Sequence, residues 1–189
     1  MSKMQNDPLP SLPKPQVEES AIVFDEFLKI RKERLRVPNQ KVHNYFSLVT
    51  PSSAVSILAI TAQGRFVLNA EYRHPTGETL LGTAGGYLGP DEDPLAGAER
   101  ELLEETGYRA QMYTLLGKAY PYPGISSQCM YYVLASEASK VDTPHLEPCE
   151  LIQTLERTEE ELQSMIASGT PLDGILLAAL YLYRLHSCA

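Results

Sequence analysis

The sequence predicts an α+β fold: a mixed central sheet with helices on its faces, preceded by a small antiparallel β meander. Three observations lead there. The chain has 189 residues, 43% apolar and 21% charged, a balance that supports one core and lies outside the disordered and fibrous ranges. Short β-rich runs separated by turn signals fill residues 21–71 and return over 108–155. Three segments read as helices, and no internal repeat divides the chain.

The elements follow in order. Four of the fourteen prolines fall in the first fifteen residues, which hold almost no apolar side chain to bury, so residues 1–18 are expected to be a flexible arm. Residues 19–50 are expected to form the meander, from β-rich runs at 21–24, 28–30, 35–37 and 42–49 broken at Pro38-Asn39-Gln40. The main domain then spans 51–189. Two central strands, 56–61 and 65–71, flank Ala62-Gln63-Gly64, a short hairpin connection. Between Gly82 and Asp93 four glycines and one proline, without hydrophobic periodicity, make a loop that lets backbone approach a ligand closely. Asp93 and Pro94 open a helix as N-cap and first residue, and Gly107 closes it in the left-handed conformation. Strands at 108–120 and 128–136 join across Pro121-Tyr122-Pro123-Gly124, and 150–155 adds another. Thr158 and Glu161 form a capping box for a helix ending near Gly169, and a last, largely apolar helix spans 171–186.

Charge narrows the function. Sixteen Lys and Arg against 24 Asp and Glu give a net charge of -8, which argues against holding nucleic acid or an anionic membrane by an overall field. An anionic substrate must be met locally, by a few arginines or by a metal ion. The longest apolar stretch, residues 175–182, is far short of the roughly 20 residues that cross a bilayer, and the N-terminus lacks the apolar run of a signal peptide. A cytoplasmic protein is expected, with Cys129, Cys149 and Cys188 reduced, since they stand at no metal-ligand or redox spacing.

Residues 91–105 concentrate the charge: seven acids and Arg100 contribute -6 of the total. Glu101, Glu104 and Glu105 stand at i, i+3 and i+4 on the helix and share one face, while Leu95, Ala98, Leu102 and Leu103 supply the buried side. Like charges so spaced cost a few tenths of a kcal/mol per pair, a cost that a bound divalent cation reverses. Ligands that are all oxygen favour Mg²⁺ or Mn²⁺ over zinc.

The stretch GYLGPDEDPLAGAERELLEETGY, from Gly86 to Tyr108, resembles the 23-residue box of the Nudix hydrolases, G-x5-E-x7-R-E-U-x-E-E-x-G-U. Every specified position is filled, by Gly86, Glu92, Arg100, Glu101, Leu102, Glu104, Glu105, Gly107 and Tyr108. Seven exact identities arise by chance in about one window in 10⁸ at ordinary residue frequencies. Beyond the box the chain resembles the branch of ADP-ribose and nucleoside-diphosphate-sugar pyrophosphatases. Glu71-Tyr72-Arg73-His74-Pro75 is similar to its strand-end Q-Y-R-x-P, and Pro123-Gly124 to its S-P-G turn. The Tyr that diadenosine-polyphosphate hydrolases tend to carry eighteen residues past the box is Ser126 here.

The resemblance implies a Nudix α/β/α sandwich, a homodimer built through the N-terminal sheet, and Mg²⁺-dependent cleavage of a diphosphate in a small nucleotide substrate. It implies Glu101 and Glu105 as principal metal ligands, Glu104 shared or one layer further out, and the Gly85 carbonyl completing the set. Arg100 is expected to orient these carboxylates through a bidentate contact, and Glu92 to brace the loop. The general base is open between Glu104 and a carboxylate on a mobile segment, 141–150, where Glu147 and Glu150 stand and Glu150 is preferred. Arg73, Gly86, Pro123 and Gly124 are the expected substrate contacts, Arg73 binding a phosphate or ribose or else pairing with an acid at its strand end. Tyr45, Phe46, Tyr120 and Tyr122 stack a base or belong to cores, and His145 assists catalysis or is an exposed loop residue. The chain departs from the branch at Gly82-Thr83-Ala84-Gly85-Gly86, where E-L-P-A-G is usual, and at Gln128 and Gln153, where acids are usual. These departures bear on substrate contacts and leave the acidic box whole. Two alternatives remain: a Nudix pyrophosphatase acting on a nucleoside triphosphate, dinucleotide, coenzyme A or RNA cap, and a nucleotide-binding module without catalysis.

Overall fold

The computed structural model describes residues 9–39, 41–50 and 53–188. Residues 1–8 of the expected arm, and Gln40 of the expected break, lie outside the described residues. The chain divides into two compact units, one of residues up to Thr50 with Gly124–Ser126, the other of the remainder.

The first unit is a three-stranded antiparallel sheet of β1 (Gln16–Asp25), β2 (Lys29–Arg36) and β3 (Val42–Val49), in that order. The runs at 28–30 and 35–37 are one strand, because the charged residues between them find partners across the ladder. Arg34 lies 3.2 Å from Glu18 and 3.6 Å from Glu19, and Glu33 accepts from the Ser20 hydroxyl at 3.3 Å. Residues 124–126 join this unit along β3: Leu48 N–H donates to the Ile125 carbonyl at 2.7 Å, and the Thr50 and Ser126 hydroxyls are 3.0 Å apart.

The second unit holds β4 (Ser53–Thr61), β5 (Phe66–Arg73), β6 (Glu78–Gly82), β7 (Tyr108–Arg109), β8 (Met112–Ala119), β9 (Cys129–Lys140) and β10 (Ile152–Arg157). Their order is β10-β5-β4-β9-β7, with β6 on β5 and β8 on β9. Only β4 and β9 run parallel, so the sheet is mixed. Helix α1 (Pro94–Thr106) covers one face, where Val55, Ile57, Val67, Ala98, Leu102 and Val133 form a core. Helices α2 (Glu159–Ala167) and α3 (Gly174–Ser187) cover the other, over Leu58, Phe66, Leu68, Tyr132, Leu162 and Leu176. The split follows the two-residue period of the strands: Val55 and Ile57 point to one face and Ala54 and Leu58 to the other.

Three details depart from the sequence reading. The 108–120 strand is two, because β9 bulges at Glu137, whose φ is 55°, so that β7 pairs beyond the bulge and β8 before it. Strand β6 is an addition on β5. The last helix begins at Gly174 and not at 171, because residues 171–173 are drawn onto β6: Leu81 N–H donates to the Pro171 carbonyl and Asp173 N–H to the Leu81 carbonyl, each at 2.9 Å. The capping box of α2 is present as read, with the Glu161 N–H donating to the Thr158 hydroxyl at 3.2 Å.

Leu102 is fully buried between α1 and the sheet. Replacing it with Ala is expected to lower stability by about 2–5 kcal/mol in urea unfolding, the usual cost of a cavity of that size.

Candidate active site

Helix α1 is the platform. Asp93 Oδ1 accepts from the N–H groups of Leu95 and Ala96 at 2.9 and 3.2 Å, Pro94 has no N–H and so needs no acceptor, and Gly107 ends the helix at φ 73°. With Ala98 and Leu102 packed inward, Glu105 falls at the buried edge of the helix and Glu104 at the open one.

The loop before α1 is pinned to the sheet. Ile57 N–H donates to the Ala84 carbonyl at 2.8 Å and Val55 N–H to the Gly86 carbonyl at 2.9 Å. Gly85, between them, has no room for a side chain, since a Cβ would lie 2.1 Å from the Val55 carbonyl oxygen; a Cβ on Gly86 would lie 2.6 Å from the Glu101 carboxyl and displace it. Glycine at 86 therefore opens the space in which the Glu101 carboxylate sits.

One cavity of about 610 Å³ gathers Arg73, Gly85, Gly86, Arg100, Glu101, Glu104, Glu105 and Glu150. Glu71, Tyr87, Tyr122, Gln128, His145, Glu147 and Asp173 also line it. Pro123 is exposed and outside that lining, and Gly124 belongs to the N-terminal unit, where Tyr45 Oη donates to its carbonyl. Of the aromatics weighed for stacking, Tyr122 lines the cavity and Tyr120 does not, while Phe46 lies in the N-terminal unit under the Lys32 ammonium, 5.9 Å from its ring centre.

The three helix acids have different surroundings. Arg100 is the hub of two of them: its Nη1 donates to Glu101 at 2.7 Å and to Glu104 at 3.1 Å. Its bidentate contact falls on Glu92 rather than on the helix acids, with Nε at 3.0 Å and Nη2 at 3.1 Å. Glu92 in turn accepts from Gly89 N–H at 2.7 Å, which braces the loop, and the guanidinium holds its carboxyl below the usual range. Glu105 is held apart from Arg100, its Oε2 accepting from Gly85 N–H at 3.0 Å and from Asn69 Nδ2 at 2.9 Å. Burial pushes Glu101 up against the opposing pull of Arg100, and pushes Glu105 up to about 8, with the charges of Glu101, Glu150 and Glu71 acting in the same direction.

Arg73 does pair with an acid: it lies 2.6 Å from Glu71 and 3.9 Å from Asp173 while facing the cavity. The segment 141–150 is anchored on the end of α1. Val141 and Asp142 N–H groups donate to the Gly107 carbonyl at 2.9 and 3.0 Å, and His145 N–H donates to the Glu104 carbonyl at 2.7 Å. Within it, Glu150 Oε2 accepts from Glu147 N–H at 2.7 Å.

Seven carboxylates thus face two guanidiniums around one cavity. Among the described residues no three carboxylate, imidazole or thiolate groups converge on a point as in a preformed metal cage. The donor set still suits a hard divalent cation: it is all oxygen, it carries a large excess of negative charge, and Glu105 keeps its second oxygen out of the hydrogen bonds that hold the first. Sequence reasoning missed Asn69 and Asp173. The signal for Asn69 was a polar residue at a core-facing position of β5, in step with Val67.

Burial pushes the Glu105 carboxyl up to about 8 in the folded chain, well above the range of a solvated glutamate. Between those values the folded state binds more protons than the unfolded one, so stability falls as pH rises, by at most ~1.4 kcal/mol per pH unit. The metal-free protein is expected to lose unfolding temperature from about pH 5 to 8, and Glu105→Gln to flatten that slope.

Known proteins resemble this chain in sequence and in fold. The NUDIX domain family matches residues 50–173. An ADP-ribose pyrophosphatase of Bacillus subtilis (strain 168) is 28% identical over 164 residues, covering 86% of this chain and 88% of the relative. A GDP-mannose pyrophosphatase of Yersinia pestis (strain Pestoides F) is 29% identical over 144 residues, covering 71% of this chain and 72% of its own. A crystal structure of an ADP compounds hydrolase superposes with a TM-score of 0.80 at 25% identity, covering 93% of this chain and 95% of that one. With its acidic box intact on α1 and its sheet and helices arranged as in these proteins, the chain belongs to the NUDIX domain family.

Proposed function

We propose that the chain is a pyrophosphatase that hydrolyses the diphosphate bond of ADP-ribose or a related nucleoside diphosphate sugar, releasing a nucleoside monophosphate and a sugar phosphate. The observation that carries this reading is the complete acidic box facing a cavity with seven carboxylates and two guanidiniums. A diphosphate is repelled by such a field unless divalent cations enter with it, and the names of the relatives point to nucleotide sugars.

Mg²⁺, with Mn²⁺ as a substitute, is the ion of choice, and Glu101, Glu105, Glu104 and the Gly85 carbonyl would hold it. When bound, it would neutralise charge on the diphosphate and lower the pKa of the attacking water. The chain's own residues do the rest. Arg100 fixes Glu101 and Glu104 relative to the loop. Arg73, which lines the same cavity, meets the substrate by exchanging part of its contact with Glu71 for a phosphate or ribose oxygen. Glu150 is the preferred base: it lines the cavity, and its charge raises the pKa values of Glu71, Glu101 and Glu105. The exposed Ile22, Val23, Phe24 and Phe46 of the N-terminal sheet support a homodimer through that sheet. No helix among the described residues is long and apolar enough to cross a membrane, and the reduced cysteines fit a cytoplasmic location.

The test is incubation with Mg²⁺ and a panel of ADP-ribose, UDP- and GDP-sugars, NADH, diadenosine polyphosphates, coenzyme A and nucleoside triphosphates, with products identified by mass. Preferred cleavage of one nucleotide sugar to two monophosphates is expected; no cleavage with Mg²⁺ or Mn²⁺ would instead favour a nucleotide-binding module. Glu105→Gln is expected to remove nearly all turnover while leaving the far-ultraviolet circular dichroism unchanged, and near-native turnover in it refutes the metal assignment. Sedimentation is expected to give twice the 21.0 kDa chain mass.

A further inference from the structure

We propose that Asn69, backed by Thr154, is a positioning residue that fixes the Glu105 carboxylate so that one oxygen stays tied to the fold and the other is presented to the cation in the cavity. This rests on the reading of Glu105 as a metal ligand.

Asn69 is 1% exposed in the middle of β5, on the face that packs under α1, where Val67 two residues before it is core. An amide there is costly unless its polar atoms are matched. They are matched in one orientation. Nδ2 donates to Glu105 Oε2 at 2.9 Å, and Oδ1 accepts from the Thr154 hydroxyl at 3.3 Å. Thr154 is the direct cross-strand neighbour of Asn69 on β10, and its hydroxyl also lies 3.5 Å from the Glu105 carbonyl. Once Glu105 ionises, as it must to hold a cation, turning the amide over would set Oδ1 against a carboxylate oxygen, so the contact selects one orientation in the metal-binding state.

The consequence falls on Glu105. Its Oε2 receives two N–H donors, from Asn69 and from Gly85, which saturates that oxygen from the protein side. Its Oε1 receives none, yet it is not a sealed, unpaired atom, since no buried side-chain oxygen among the described residues lacks a partner. Oε1 therefore opens on the cavity that Glu105 lines. A carboxylate gripped through one oxygen keeps its direction as charge arrives at the other, and partners of this kind typically change metal affinity 10- to 100-fold.

The experiment measures Mn²⁺ affinity by electron paramagnetic resonance on the full chain, with circular dichroism and metal-free unfolding temperature alongside. Asn69→Leu, which keeps the branched shape and deletes the donor, is expected to weaken Mn²⁺ binding about tenfold or more while the metal-free fold persists. Its kcat at saturating Mn²⁺ is expected to recover more than its apparent metal requirement, a split that a general loss of packing does not produce. Wild-type Mn²⁺ affinity in folded Asn69→Leu overturns the proposal. Should that variant not fold, Thr154→Val decides: a severalfold loss of affinity supports the positioning role, and no change overturns it. Glu105→Gln, measured beside them, separates the two readings. If it weakens Mn²⁺ binding and Asn69→Leu does not, only the positioning role fails; if it too leaves binding unchanged, the metal assignment fails with it.

Discussion

A single carboxylate oxygen ties the three parts of the catalytic unit together. Glu105 Oε2 accepts from the backbone of the glycine loop and from the sheet, through Gly85 and Asn69, while its own backbone belongs to α1. Helix, loop and sheet are thereby registered at the point where substrate chemistry is expected. Glycine at 85 makes this approach possible, since a side chain there would strike the Val55 carbonyl, and glycine at 86 leaves room for the Glu101 carboxylate beside it.

The electrostatics follow from that placement. A carboxylate this deep is unfavourable when charged, and the other acids around the cavity add to the penalty. Arg100 relieves Glu101 and Glu104 but leaves Glu105 to backbone and amide dipoles. The metal-free cavity is therefore under charge stress, of the sort that divalent cations relieve. This explains why a protein with a net charge of -8 can be suited to an anionic substrate: attraction is supplied by ions at the site and not by the surface as a whole.

The segment that carries Glu147 and Glu150 is built on the same helix. Its backbone donors terminate on Gly107 and Glu104, so the free carbonyls at the end of α1 are satisfied by the loop that completes the cavity. Gly107 serves both the helix stop and this contact, because a Cβ there would strike the Asp142 carbonyl.

The sequence by itself determined the family, the acidic face of α1, its caps and the capping box of α2. Each of these depends on residues near one another in the chain, through helical spacing or turn chemistry. Tertiary structure alone decided that Arg100 would engage Glu92 in its bidentate contact, that the charged middle of β2 would be strand, and that α3 would start only after residues 171–173 had paired with β6. It also decided that Asn69, thirty-six residues before Glu105, would hold that carboxylate. These outcomes depend on which groups meet across the fold, and the cost of burying an unmatched polar group is set by that meeting and not by any local pattern.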